Sequence, residues 1–207
     1  MKILVLNVAT TGLNNAHIVQ LNYIAYDIRA NIINTIESHI FNPPIDDTNE
    51  SFSGVSKMAA HASSAELTVE LIKLFDHIGH VDLIIGHNVE FTINMILGAI
   101  GRDPDKFAPN IQVRLMAVST YCTMRSSIMC NTLNSSVQKY PNIHELAQLL
   151  FANEPHQQYT NNAYKKLFMT LRCFCMKKYS FDINLVNDQF NAYYELIDDG
   201  DMMDHEQ

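Results

Sequence analysis

Three stretches near the start of the chain carry β-branched and aliphatic residues almost without interruption: ILVLNVA at 3–9, HIVQLNYIAYD at 17–27 and NIINTIESHIF at 31–41. Runs of this length and composition predict strands. The breaks between them, Gly12–Asn15 and Arg29–Asn31, are short and polar, which predicts an antiparallel meander. PPIDDTNESFSG then reads as a loop. Beyond Ser63-Ser64 the period lengthens: Leu67, Leu71, Leu74, Phe75 and Ile78 fall on one helical face, and Ser63 with Glu66 matches a capping box. A short buried strand, VDLIIGHN, precedes a helix EFTINMILGAIG that Asn88 caps and Gly101 ends. A further strand is expected near MAVSTYCTM, then two helices, NIHELAQLLF and NNAYKKLFMTLRCFCMKKY. The last segment, LVNDQFNAYYELI, has a weaker helical stripe. A meander followed by alternating helix and strand predicts an α/β fold, with a mixed sheet of antiparallel and parallel strands flanked by helices.

Composition narrows the class without naming a function. With 207 residues, 47% hydrophobic and 17% charged, the chain suits one globular domain. We read that domain over 1–180, followed by a C-terminal helix and acidic tail over 181–207. No apolar run approaches the ~20 residues of a membrane span. MKILVLNVATTG lacks a signal peptide's small-residue cleavage pattern, so an intracellular protein, cytoplasmic or nuclear and away from membranes, is expected. The net charge is −8, but ELIDDGDMMDHEQ holds six acids and no Lys or Arg, leaving the rest of the chain at −2. Such a body does not attract nucleic acid at long range, although Arg172 and Lys177-Lys178 make a modest basic face. Cys122, Cys130, Cys173 and Cys175 form no CxxC pair, and residues two apart on a helix face apart. Neither a zinc site nor a disulfide framework is expected.

The motifs are more specific. In order along residues 1–178, ILVLNVATTGL, SGVSKMAAHASS, IIGHNVEFTINMIL, YCTMRS, YPNIHELAQLLFANEP and NNAYKKLFMTLRCF resemble the successive motifs of DnaQ-type 3′–5′ exonucleases of the DEDDh group. The resemblance implies a ribonuclease H-like fold. In that family the first strand ends Asp-x-Glu-Thr-Thr-Gly-Leu, a strand-to-helix junction reads Gly-His-Asn-x-x-Phe-Asp, and a late helix carries His-x-Ala-x-x-Asp. Here the spacers Thr10, Thr11, Gly12, Leu13, Gly86, His87, Asn88, Phe91, Ala163 and Thr170 persist. The two carboxylates of the first strand fall instead on Asn7 and Ala9, the acid of the junction on Thr92, and the late His and Asp on Asn161 and Lys166.

The resemblance implies two-metal chemistry, with divalent ions about 3.5–4 Å apart, and hard cations held that close need charged oxygens. Asn7 offers a neutral carbonyl, Thr92 a hydroxyl and Ala9 nothing. Asn161 cannot take a proton from water at neutral pH. Lys166 adds a cation that would repel a bound ion by several kcal/mol at ~4 Å for an effective dielectric near 20. Glu90 lies about 200° around its helix from Thr92, and Asp27 and Glu37 belong to the meander. No catalytic residue, metal or cofactor is therefore expected. Lys166 has two readings: a charge that neutralises the emptied cavity, or a solvent-facing lysine on a drifted helix.

By resemblance, Thr10, Thr11, Leu13, His87, Asn88 and Phe91 line a pocket for a 3′-terminal nucleotide. The same residues also have plain structural uses as turn, helix cap and core. The expected function is a catalytically inactive exonuclease-like subunit of a nucleic-acid-processing or viral assembly. Such a subunit would dock a protein partner, or a second copy of itself, through Phe190, Tyr193, Tyr194 and Ile197. The alternatives are a non-catalytic binder of single-stranded DNA or RNA ends and, ranked last, an exonuclease with displaced ligands.

Overall fold

The computed structural model describes residues 1–12, 16–43, 50–127, 130–131, 138–152 and 161–198. Its centre is a five-stranded sheet in the order β3-β2-β1-β4-β5. β1 (Lys2–Thr10), β2 (Ile18–Asp27) and β3 (Ile32–Ile40) form the expected antiparallel meander. β4 (Leu83–Gly86) and β5 (Ser119–Cys122) extend it in parallel from β1. β1 is apolar from Ile3 to Leu6 and again at Val8 and Ala9 because both its faces are covered. Leu4, Leu6 and Val8 enter one core with Leu71, Leu74, Phe75, Ile96 and Ile100. Ile3 and Val5 enter a second with Leu167, Phe168, Leu171 and Phe174.

The helices of the first layer are α3 (Leu67–Ile78), α4 (Val89–Arg102) and α5 (Ile111–Ala117). Single-turn α1 (Glu50–Ser53) and short α2 (Lys57–Ala62) precede them in the chain, and Ala60 of α2 packs with Ala9 and Ala163. The second layer is α6 (Ile143–Leu150), α7 (Ala163–Tyr179), α8 (Ile183–Val186) and α9 (Asp188–Asp198). Among the described residues no helix is long and apolar enough to cross a membrane.

Several local expectations are corrected. α1 is a helical turn inside the stretch read as loop, and α2 and α5 were not foreseen. Met116 and Ala117 belong to α5, not to a strand. The capping box at Ser63 does not form. Glu66 is the N-cap of α3 without a side-chain cap bond, while the Ser63 hydroxyl donates to Ile40 O and accepts from Ala65 N. Asn88 stands at the N-cap of α4 in left-handed backbone, φ 71° and ψ 50°, again without a side-chain bond, and α4 runs to Arg102.

The docking face expected on the last helix points inward. Phe190 is fully buried and Tyr194 is 5% exposed. The Phe190 ring lies 5.3 Å from that of Phe168 and stacks on Tyr194 at 5.6 Å, and Tyr193 packs 6.3 Å from Phe168. This face completes the chain's own core. The side chain of Ile197 lies outside the described residues.

Candidate functional site

The end of β1 and the segment that opens α7 bring together four of the five positions singled out by sequence, Asn7, Ala9, Asn161 and Lys166, and a turn at Gly54 meets Asn161. The fifth, Thr92, is on α4. Asn7 and Ala9 share the β1 face that looks toward α7. The Asn7 amide donates to Ala163 O at 3.0 Å, fastening β1 to the first turn of α7. Ala9, 8% exposed, packs in an apolar cluster with Val19, Val55, Ala60 and Ala163. A register shift between Ala9 and Thr10 carries β1 past Val19, which becomes the extra residue of a bulge. Thr92, on α4, is buried at 3% exposure.

Asn161 precedes α7, whose N-cap is Asn162; the Asn162 side chain accepts from the amides of Tyr164 and Lys165. Gly54 fits beside it. At φ +76° it adopts backbone that L side chains rarely take, and a Cβ there would lie 2.3 Å from Asn161 O. Lys166 is half-buried and donates to the Asn161 side-chain carbonyl. Burial pushes its pKa below the ordinary lysine value. Among the described residues no carboxylate lies within ion-pair distance of its ammonium. Lys166 is thus a cation turned into the site, not a solvent-facing lysine. Asn7 and Lys166 both bond to the 161–163 segment rather than to each other.

The nearby acids are engaged elsewhere. Glu90 pairs with Arg125 at 2.5 Å on the surface. Glu145 pairs with Lys139 at 2.7 Å and closes a capping box with Asn142 at the start of α6. Among the described residues no group of three or more His, Cys, Asp or Glu side chains is placed to hold a metal ion.

The proposed strand-end residues are tied into the fold. Thr10 Oγ1 donates to Gly12 O at 2.8 Å, and Thr11 Oγ1 accepts from His17 N at 3.0 Å, so both hydroxyls shape the β1–β2 connection. They are 2% and 7% exposed. Leu13 lies outside the described residues. Phe91 packs against the core under α3 and α4. His87 bridges three segments, with Nε2 3.1 Å from Pro141 O and Nδ1 3.0 Å from Thr123 Oγ1. Since a carbonyl only accepts, Nε2 carries the proton, and the Thr123 hydroxyl has its one proton to share between neutral Nδ1 at 3.0 Å and Gly86 O at 3.4 Å. Burial, helped by His144 and then by the charge of Lys166, lowers the His87 pKa from 6.5 to about 4. For His87 the structural use is the one the geometry displays.

Sequence reasoning did not foresee the polar ladder that continues from Asn7 across the sheet. Asn22 stands opposite Asn7 on β2 and is fully buried. Its Oδ1 accepts from Ser38 Oγ at 2.7 Å, and Ser38 Oγ accepts from Gln20 Nε2 at 3.1 Å. The signal was available as a lone Asn in register within IVQLNYIAY.

The mixed sheet with helices on both faces is that of a ribonuclease H-like α/β fold. No protein-family model matches the chain, and no curated protein matches it by sequence. Solved structures match it in fold. E. coli exonuclease I in complex with a dT13 oligonucleotide aligns with a TM-score of 0.61 at 14% identity, over 86% of this chain and 41% of that one. The zinc-bound form of an E. coli exonuclease I–single-stranded DNA complex gives 0.59 at 15% identity, over 98% and 44%. A moderately thermophilic exonuclease I from Methylocaldum szegediense gives 0.55 at 10% identity, over 89% and 42%. The chain spans less than half the length of these proteins, and at such identities the likeness is one of fold.

Proposed function

We propose that this chain is a non-catalytic form of the exonuclease fold, acting as a structural or interaction subunit in nucleic-acid processing. The observation that carries this reading is the use made of the two first-strand positions. The Asn7 amide fastens β1 to Ala163 O, and Ala9 completes an apolar cluster with Val55 and Ala163. A metal-binding strand needs anionic oxygens facing the cleft; this one turns an amide and a methyl group to the start of α7. The donor set of Asn7, Ala9, Thr92, Asn161 and Lys166 does not fit a pair of divalent ions. It supplies no carboxylate and adds one ammonium. Incubation of the pure chain with labelled single-stranded DNA and Mg²⁺ or Mn²⁺ is expected to give no product ladder. A ladder that disappears with chelator overturns the reading. Saturating Mn²⁺ is likewise expected to leave the melting temperature unchanged, since a ligand held at a hundred times its Kd would add about 2.7 kcal/mol.

One observation favours a second reading, in which the cleft holds a strand end without cutting it. The Lys166 ammonium is half-buried with a neutral partner, and a phosphate would compensate it. Support also comes from the structural neighbours that carry oligonucleotides. Fluorescence anisotropy with single-stranded oligonucleotides in chelator, at two salt concentrations, tests it. Binding that Lys166→Glu abolishes supports strand-end holding; equal titrations for the two proteins remove it.

A further inference from the structure

The sheet face opposite Asn7 and Ala9 carries a cavity of about 600 Å³. It lies between the first turn of α3, the last turn of α4, the start of β2 and the segment after β3. Its floor is apolar: Phe41, Leu71, Ala99 and Phe107 line it, and all four belong to the core under α3 and α4. Its rim carries two basic residues, Arg102 and Lys106, and two acidic ones, Glu66 and Asp103. Lys106 is partnered by Asp103 at 3.4 Å. Arg102 has no ion pair or hydrogen bond to any described residue. Its guanidinium lies back along its own helix, 3.9 Å from where a Cβ on Gly98 would sit. His17, across the rim, is held below the ordinary histidine value by burial and then by the Arg102 charge. Glu66 stands at the N-cap of the 12-residue α3 without folding back to cap it, so the first-turn amides gain no side-chain acceptor there.

A cavity of this volume matches those that enclose small molecules, which commonly pair an apolar body with a few polar anchors. A guanidinium without a carboxylate is the anchor a planar or tetrahedral anion uses. We propose that this cavity binds a small amphiphilic anion, with its apolar body against Phe41, Leu71, Ala99 and Phe107 and its single acidic group on Arg102. The site is separate from the β1–α7 junction and does not depend on the function proposed above.

The test uses anilinonaphthalene sulfonate as probe and decanoate as competitor, on the full chain. Saturable one-to-one fluorescence enhancement, displaced by decanoate, is expected. Arg102→Gln weakens it about tenfold or more, the loss of a charged hydrogen bond. Thr68→Trp, at the cavity wall, blocks it while leaving the thermal unfolding midpoint unchanged. Arg29→Gln, on the exposed β2–β3 turn, leaves it as it was. An NMR titration gives a second readout. Bound probe offsets the Arg102 charge, so the His17 pKa rises on binding. Non-saturable enhancement, equal affinities for wild type and both cavity variants, or an unmoved His17 titration overturns the proposal.

Discussion

His87 donates Nε2–H to Pro141 O and its neutral Nδ1 lies 3.0 Å from Thr123 Oγ1, so its neutral form is built into the junction of β4, β5 and α6. Protonation would place a charge in a half-buried site near His144 and Lys166, with Glu145 as the nearby opposite charge. The folded pKa of about 4 lies below the ordinary 6.5. As pH falls, the unfolded chain therefore takes up this proton first. The stability this group contributes is complete above about 6.5 and is lost as pH falls through about 4. Urea unfolding at about pH 7.5 and about pH 5 is expected to show a lower midpoint at the acid end. His87→Gln should be less stable at the higher pH and should show a smaller drop between the two. An equal drop in both proteins would assign the acid sensitivity to other groups.

At the scale of elements, one buried ion pair joins three helices. Arg172, in the middle of α7, donates Nε to Asp182 Oδ1 at 2.8 Å and Nη2 to Oδ2 at 2.5 Å, with the two side chains 3% and 7% exposed. The guanidinium lies 4.0 Å over the Phe151 ring, just beyond α6, and Asp182 N-caps α8 through Asn184 N. Removing one partner of a buried pair leaves the other charge uncompensated, so Asp182→Ala should cost about 3–5 kcal/mol in denaturant unfolding. Replacing both partners by apolar residues should cost much less, because no charge is then left behind. A double substitution as damaging as the single one would contradict this account. Sequence alone foresaw Arg172 only as part of a basic face, since nothing local announces a partner ten residues on in a different helix. The meander was readable because β1, β2 and β3 are long and apolar enough to show their period. α5 was not: its buried residues, Ile111 and Leu115, supply one helical repeat. Ser63 was misread as a cap because its true acceptor, Ile40 O, belongs to β3. The missing carboxylates of the candidate site were visible in the motif itself. What replaced them was not, because the Asn7–Ala163 bond and the Gly54–Asn161 contact join residues more than 100 positions apart.

For the molecule as a whole, the same contacts tie α8 and α9 into the second core. Read from sequence, residues 181–207 form an appended helix and tail. In the structure Ile183 and Phe190 are fully buried and share one core with Ile3, Val5 and Phe168 on β1 and α7. Asn187 donates to Asn31 at the β2–β3 turn at 2.8 and 2.9 Å, so this segment also holds the far end of the meander. A chain cut after residue 180 would lose these contacts at once and leave Arg172 buried without Asp182. Burying one large apolar side chain contributes about 1.5–3 kcal/mol, and an orphaned buried charge costs more than that. Together these approach the 5–15 kcal/mol that holds a typical domain folded. The 1–180 fragment is therefore expected to lose its near-UV circular dichroism while keeping much of its far-UV signal, and to be digested quickly by protease. A chain ending at residue 198, which keeps α9 and drops the acidic residues after it, should match the full chain in both measurements. If the 1–180 fragment instead melts cooperatively near the full chain's temperature, the second core does not need its last two helices.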